Sequence, residues 1–344
     1  MPENIIKNFI LNACYEDTKR YIVNNNYPSI DEYEKDQWSY IVEILIIAIK
    51  SLVPNIQKDG NIIQYDRFEK ELDLWRFYKH GYNNSLKELV NKTYKNYWEN
   101  SDDSIYSRII PIVFANENWN VIKEEIIKNI LYSTGSIEAL LEGVALSKFL
   151  YTIITYKDYC YEQIIDEIKQ QIIKLSIKEI LENDYYKISI KEYPGNYIIE
   201  FERSRIDLLN ILNKVSNKDK FNILKYSIDL IEKDSLEKVD INNFFISGLR
   251  GTLENSVMTH NIKDKDFINN LCTYLFKLRK GRIDPKALNI RDSNSQNIFE
   301  YKKGDVFSHI LLNKCLVLHK SETDKLTLSY IKTKSGIYRF IKFK

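Results

Sequence analysis

Residues 133–150 read STGSIEALLEGVALSKFL. Ala139, Gly143 and Ser147 recur in it every four residues, and on an α-helix that spacing forms one row. A row of small side chains lets another backbone approach closely. The stretch therefore predicts a helix over 136–156 that packs at the centre of a helical body. The run Ile41 to Ile49 (IVEILIIAI) belongs to a second such helix, Asp36 to Val53, apolar nearly all round and therefore central. It is too short to cross a bilayer and contains Glu43. Pro54 and Lys58-Asp59-Gly60 end it.

The rest of the chain extends this pattern. Helices are expected over 4–24, 66–80 (closed by Gly81), 84–100, 119–132, 204–216, 219–233, 241–259 and 266–280, with one or two more in 159–183. Pro111, inside the apolar run of 101–119, predicts a kinked or newly started helix. Residues 185–203 (YYKISIKEYPGNYIIEFER) alternate with period two around Pro194-Gly195-Asn196, which predicts a β-hairpin. From about 296 the chain reads as short strands with turns at Lys303-Gly304, near Glu322-Thr323-Asp324 and at Lys334-Ser335-Gly336. Ile310, Leu311, Leu312, Leu316 and Leu318 are too many apolar groups for a free strand pair, so this β unit is expected to dock on the helices. With 10 Gly and 6 Pro in 344 residues, a mainly α fold is favoured over a turn-rich β fold.

Lys and Arg number 50 against 48 Asp and Glu, a net of +2. That balance does not call for nucleic acid or an anionic membrane as partner, since both need a basic excess or stripe. Cys14, Cys160, Cys272 and Cys315 form no metal-type pair and read as reduced thiols of a cytoplasmic protein. The N-terminus lacks a basic-then-apolar signal pattern. His80, His260, His309 and His319 form no metalloprotease-like spacing.

The segment 260–270, HNIKDKDFINN, sets Asp264 and Asp266 just before a helix. They either cap that helix and oppose its dipole or belong to a metal site. Asp102-Asp103 reads as a solvated helix start. Arg108 reads as a buried arginine that needs a carboxylate. Trp38, beside Asp36, could cover a cleft mouth, stack on a base or fill the volume of a metal.

Tyr106-Ser107-Arg108-Ile109-Ile110-Pro111, followed by 133–150, resembles the ADP-ribosylglycohydrolase family, which carries Met-Arg-x-x-Pro at a helix start and then a central helix of small residues. Lys35-Asp36-Gln37-Trp38 stands where that family has Thr-Asp-Asp, and only Asp36 matches. Asp264-Lys265-Asp266-Phe267 stands where it has Asp-x-Asp-Thr, with Phe267 in place of the threonine. Lys280-Gly281-Arg282-Ile283-Asp284-Pro285 resembles the end of its last core helix. Ala13-Cys14-Tyr15-Glu16-Asp17 departs from its Gly-Asp. The resemblance implies a single large orthogonal helical bundle over 1–293, with the hairpin at 185–203 and a C-terminal β extension over 294–344. It implies a Mg²⁺ held by Asp36, Asp264 and Asp266, with Asp36 and Asp266 catalytic, and Trp38, Arg108 and His260 lining the cleft. The function implied is binding or hydrolytic removal of an ADP-ribosyl group, on a protein or a related nucleotide. The incomplete metal motifs, and Lys35 as a competing cation, leave open an inactive relative that binds a protein partner.

Overall fold

The computed structural model describes residues 1–25, 37–156, 160–183, 185–232, 243–257, 262–284 and 297–344. Among them the helices are α1 (Glu3–Asn25), α2 (Tyr40–Ser51), α3 (Tyr65–Trp75), α4 (Asn84–Asn91), α5 (Ile105–Ala115), α6 (Trp119–Leu131), α7 (Ile137–Thr155), α8 (Tyr161–Ile173), α9 (Ile177–Glu182), α10 (Tyr197–Leu212), α11 (Asn222–Glu232), α12 (Phe244–Leu253) and α13 (Lys265–Arg279). A short antiparallel pair, β1 (Leu52–Asn55) with β2 (Gly60–Ile63), follows α2. The chain closes with β3 (Val306–His309), β4 (Asn313–Glu322), β5 (Leu326–Thr333) and β6 (Gly336–Phe343), an antiparallel sheet in that order. The protein is mainly α.

Short polar side chains fix the helix starts, each accepting a free N–H of the first turn. Ser39 caps α2, Asn83 caps α4, Asn118 caps α6, Ser136 caps α7 and Asn196 caps α10. Helix α5 lies at the centre and packs against α2, α6, α7, α12 and α13. It continues through Pro111, whose ring leaves the Ser107 carbonyl without its usual helical donor. Ile109, Ile110 and Ile112 of α5 are fully buried, and each such side chain contributes about 1.5–3 kcal/mol by leaving water. The small-residue row of α7 allows the close approach to α6. A Cβ on Gly143 would lie 2.4 Å from Ile130 Cδ1 and 3.8 Å from Ile105 Cδ1.

Three expectations fail. The 185–203 hairpin does not form. Ser189 caps a 3-10 turn, Ile190–Glu192, and the Asn196 side chain accepts from Ile199 N to start α10. Tyr186, Tyr193 and Tyr197 pack on Trp98, with ring centroids 5.4–5.5 Å from it. Conversely, the segment read as the end of the second helix is the β1–β2 hairpin, turned by Asp59 in the left-handed region (φ 49°). The helices expected over 66–80 and 84–100 stop early, at Trp75 and Asn91.

The β3–β6 sheet docks on the helical body as its apolar content requires. Ile341 N donates to the Phe77 carbonyl (2.7 Å), and the Tyr78 ring lies 5.0 Å from Tyr338 and 5.5 Å from Phe340. A part-buried ion pair, Lys50–Glu71 (2.6 Å), sits at the same junction, with Lys50 also donating to the Leu311 carbonyl (3.3 Å).

Candidate functional site

The start of α2 and the start of α13 come together, although 226 residues separate the side chains that touch. Lys263 Nζ donates to Gln37 Oε1, and its ammonium lies 5.8 Å from the centroid of the Trp38 ring. Gln37 and Trp38 are both buried. Trp38 thus fills volume and offers no open face for a base. Lys35, Asp36 and His260 lie outside the described residues.

Beneath this junction lie two buried carboxylates. Asp17, on α1, accepts from Ser39 N (2.6 Å) and Ser39 Oγ (2.7 Å), and Ser39 Oγ in turn accepts from Ile41 N to cap α2. Burial pushes the Asp17 carboxyl up to about 6; the Ser39 bonds oppose this and the nearby Glu43 adds to it. Glu43 accepts from Trp75 Nε1 (2.8 Å) and His80 N (3.1 Å) on one oxygen and faces His80 Nδ1 (2.7 Å) with the other. This assigns the Nδ1 proton to the bond with Glu43. All four carboxylate oxygens are therefore engaged by protein groups, and they tie α1, α2 and the 75–80 segment together.

The two aspartates before α13 have different surroundings. Asp264 is left-handed (φ 48°), occupies the N-cap position and makes no side-chain cap hydrogen bond, which corrects the capping expectation for it. Its carboxylate instead packs on Gly336, where a Cβ would come within 2.2 Å of Oδ2, so the β5–β6 turn admits only glycine here. Burial raises the Asp264 carboxyl, and the Lys263 ammonium offsets part of that rise. Asp266, in the first turn of α13, is exposed. Among the described residues no three His, Cys, Asp or Glu side chains gather as a metal site. Mg²⁺ takes a near-octahedral shell of hard oxygens. The Asp264 carboxylate packs on Gly336, Asp266 is exposed and the Gln37 oxygen already holds an ammonium, so the described residues do not by themselves assemble that shell.

Arg108 is committed elsewhere. Its Nε donates to Asn129 Oδ1 (2.8 Å), one terminal nitrogen to Asp102 Oδ2 (3.0 Å) and Ser104 Oγ, the other to Ser133 Oγ (2.7 Å). The structural reading of Arg108 stands, and its guanidinium is not open to a cofactor. The solvated reading of Asp102 does not stand: it is buried and accepts from Arg108, Ser104, Ser133 and Asn83. Burial alone would raise the Asp102 carboxyl, but Arg108 and these donors outweigh it and hold it below the ordinary range. The exposed Asp103 accepts from Tyr40 OH and Asn83, which ties this network to the start of α2.

Elsewhere, an open groove of about 330 Å³ lies between α6 and α9, with Lys123, Glu124, Glu179 and Asn183 around Ile127 and Ile180. Its Glu124 is tied to Lys58 and accepts from Tyr185 OH (3.1 Å).

Asp17, Glu43, His80 and Lys263 were not singled out from sequence. Glu43 carried a usable signal, since a lone acid inside an apolar helix must find donors when buried. No family model matches the chain, and no curated protein matches it. Among the described residues no helix is long and apolar enough to cross a membrane.

Proposed function

We propose that the chain is a non-hydrolytic interaction protein. On this reading it resembles the ADP-ribosylglycohydrolases in layout, and its own side chains fill the cleft at which that family acts. The contact that carries the reading is the Lys263 ammonium on Gln37 Oε1, over the buried Trp38. An ammonium there supplies one positive charge but no open coordination position, so it balances carboxylates without activating water. Asp17 and Glu43 support the reading as well, because each spends both oxygens on helix-tying hydrogen bonds. The partner on this reading is another protein.

A second reading keeps hydrolytic or binding activity toward an ADP-ribosyl group or related nucleotide, with Mg²⁺ on Asp36, Asp264 and Asp266. It is favoured by the meeting of the residues that follow Asp36 with the residue that precedes Asp264, because metal ligands on two segments must converge to within a few Å. An assay with an ADP-ribosylated peptide and Mg²⁺ separates the two. The first reading expects no release of ADP-ribose and no heat on titration with ADP-ribose. Mg²⁺-dependent release that Asp264→Asn abolishes would replace it with the second.

A further inference from the structure

The net charge of +2 averages two unlike parts. Residues 297–344 carry ten Lys and Arg against four Asp and Glu, a net of +6, so the remainder of the chain is net −4. Where this basic unit meets the end of α3, cations and aromatic rings alternate along a chain of contacts. Lys320 Nζ donates to the Phe299 carbonyl (2.6 Å), and the Lys342 ammonium lies 5.8 Å from the Phe299 ring. Phe299 packs on Phe77 at 5.4 Å, and the Arg76 guanidinium lies 4.6 Å over Phe77. One turn on, Lys79 lies 5.7 Å from the Trp75 ring and 4.2 Å from Tyr82, and Lys87 approaches the same Tyr82 ring at 5.7 Å.

Arg76, Lys87 and Lys342 are exposed, and Tyr82 keeps 47% of its surface open. Among the described residues none of these five cations is ion-paired with a carboxylate. Burial and the Lys87 ammonium both push Lys79 below the ordinary lysine range, with Glu43 opposing. Glu322 partly offsets Lys320 and Glu43 partly offsets Lys79, but no carboxylate among the described residues pairs directly with any of the five, and like charges gathered with so little counter-charge cost free energy that a bound anion recovers.

We propose that this seam, Arg76, Lys79, Lys87, Lys320 and Lys342 with Tyr82, binds single-stranded nucleic acid. The cations track phosphates, and a base takes the exposed part of the Tyr82 ring, beside the two lysines already on it. A polynucleotide alternates charge and π-face as the seam does; an acidic peptide answers the charges but not the rings. The proposal is independent of the cleft at α2 and α13.

Fluorescence anisotropy of labelled oligothymidylate with the full chain, between about 50 and 200 mM salt, tests it. Five phosphate contacts predict a slope of log affinity against log salt of about −3.5, falling to about −2 in Lys87→Gln/Lys342→Gln. Tyr82→Ala should weaken binding on the order of tenfold. Melting temperatures check that the variants fold, and the exposed Lys87 and Lys342 keep the slope test available if Tyr82→Ala does not. No binding at the low-salt end, or an unchanged slope in the double variant, overturns the proposal. So does equal binding of a polyglutamate peptide that is insensitive to Tyr82→Ala, which assigns the seam to an acidic protein.

Discussion

Replacing Gly143 by alanine sets two opposing effects of similar size against each other. Alanine inside a helix is favoured over glycine by about 1 kcal/mol. The new Cβ, however, would sit 2.4 Å from Ile130 Cδ1 in a region where Ile130, Ile105 and Leu140 are all buried. Displacing that methyl in a close-packed core costs about 1–3 kcal/mol, so Gly143→Ala alone should be neutral to destabilising by about 2 kcal/mol. Ile130→Val removes the clashing Cδ1 and alone costs about 0.5–1.5 kcal/mol. In the double variant the Cβ occupies the space the methyl left, and the helix gain remains. Gly143→Ala/Ile130→Val should therefore match or exceed the unmutated protein. The two changes should couple favourably by at least about 1 kcal/mol, well above the 0.3–0.5 kcal/mol scatter of independent sites. Urea unfolding followed by helical circular dichroism reads all four proteins. Additive losses in the double variant would show that the α6–α7 contact at Gly143 is not as described.

Asp17 gives a pH signature. Its folded pKa, about 6, lies above the ordinary 3.8, so the folded state binds more protons in that window. This contribution to stability is fully present below about 3.8 and is lost as pH rises through about 6, a swing on the order of 3 kcal/mol. The melting temperature of Asp17→Asn minus that of the unmutated protein should therefore climb between these pH values; a flat difference refutes the burial argument. Arg108→Met strands the buried Asp102 carboxylate and should cost about 3–5 kcal/mol in urea unfolding, whereas a surface arginine would cost a few tenths. Asp264→Asn should be neutral or stabilising, because asparagine suits the left-handed backbone and sheds a charge that burial disfavours. A loss above about 1 kcal/mol would mean that the attraction of the Lys263 ammonium outweighs the burial of the carboxylate.

Most of the helical body was legible in the sequence, because period and caps agree there. The small-residue row of α7 and the apolar run of α2 are set by local pattern and confirmed by burial. The hairpins were misread for opposite reasons. At 185–203 the apolar Ile198 and Ile199 mimic strand alternation while remaining about half exposed, and the Asn196 cap together with the tyrosines on Trp98 favours a helix. At 52–63 the turn residues Lys58-Asp59-Gly60 looked like helix punctuation, and only the pairing of Leu52 with Ile63 reveals a strand. The site was legible as two segments but not as a set of contacts. Nothing local to Lys263 announces a hydrogen bond to Gln37, because that bond exists only once α1, α2 and α13 have packed.

The melting temperature of the unmutated protein with and without millimolar Mg²⁺ tests the central claim most directly. A site whose dissociation constant lay tenfold below the added Mg²⁺ would stabilise the fold by about 1.4 kcal/mol. With the Lys263 ammonium on Gln37, the account predicts no Mg²⁺-dependent change, and a loss of a few °C in Lys263→Met because the buried Gln37 oxygen loses its charged donor. A Mg²⁺-dependent rise in the unmutated protein that disappears in Asp264→Asn would contradict it.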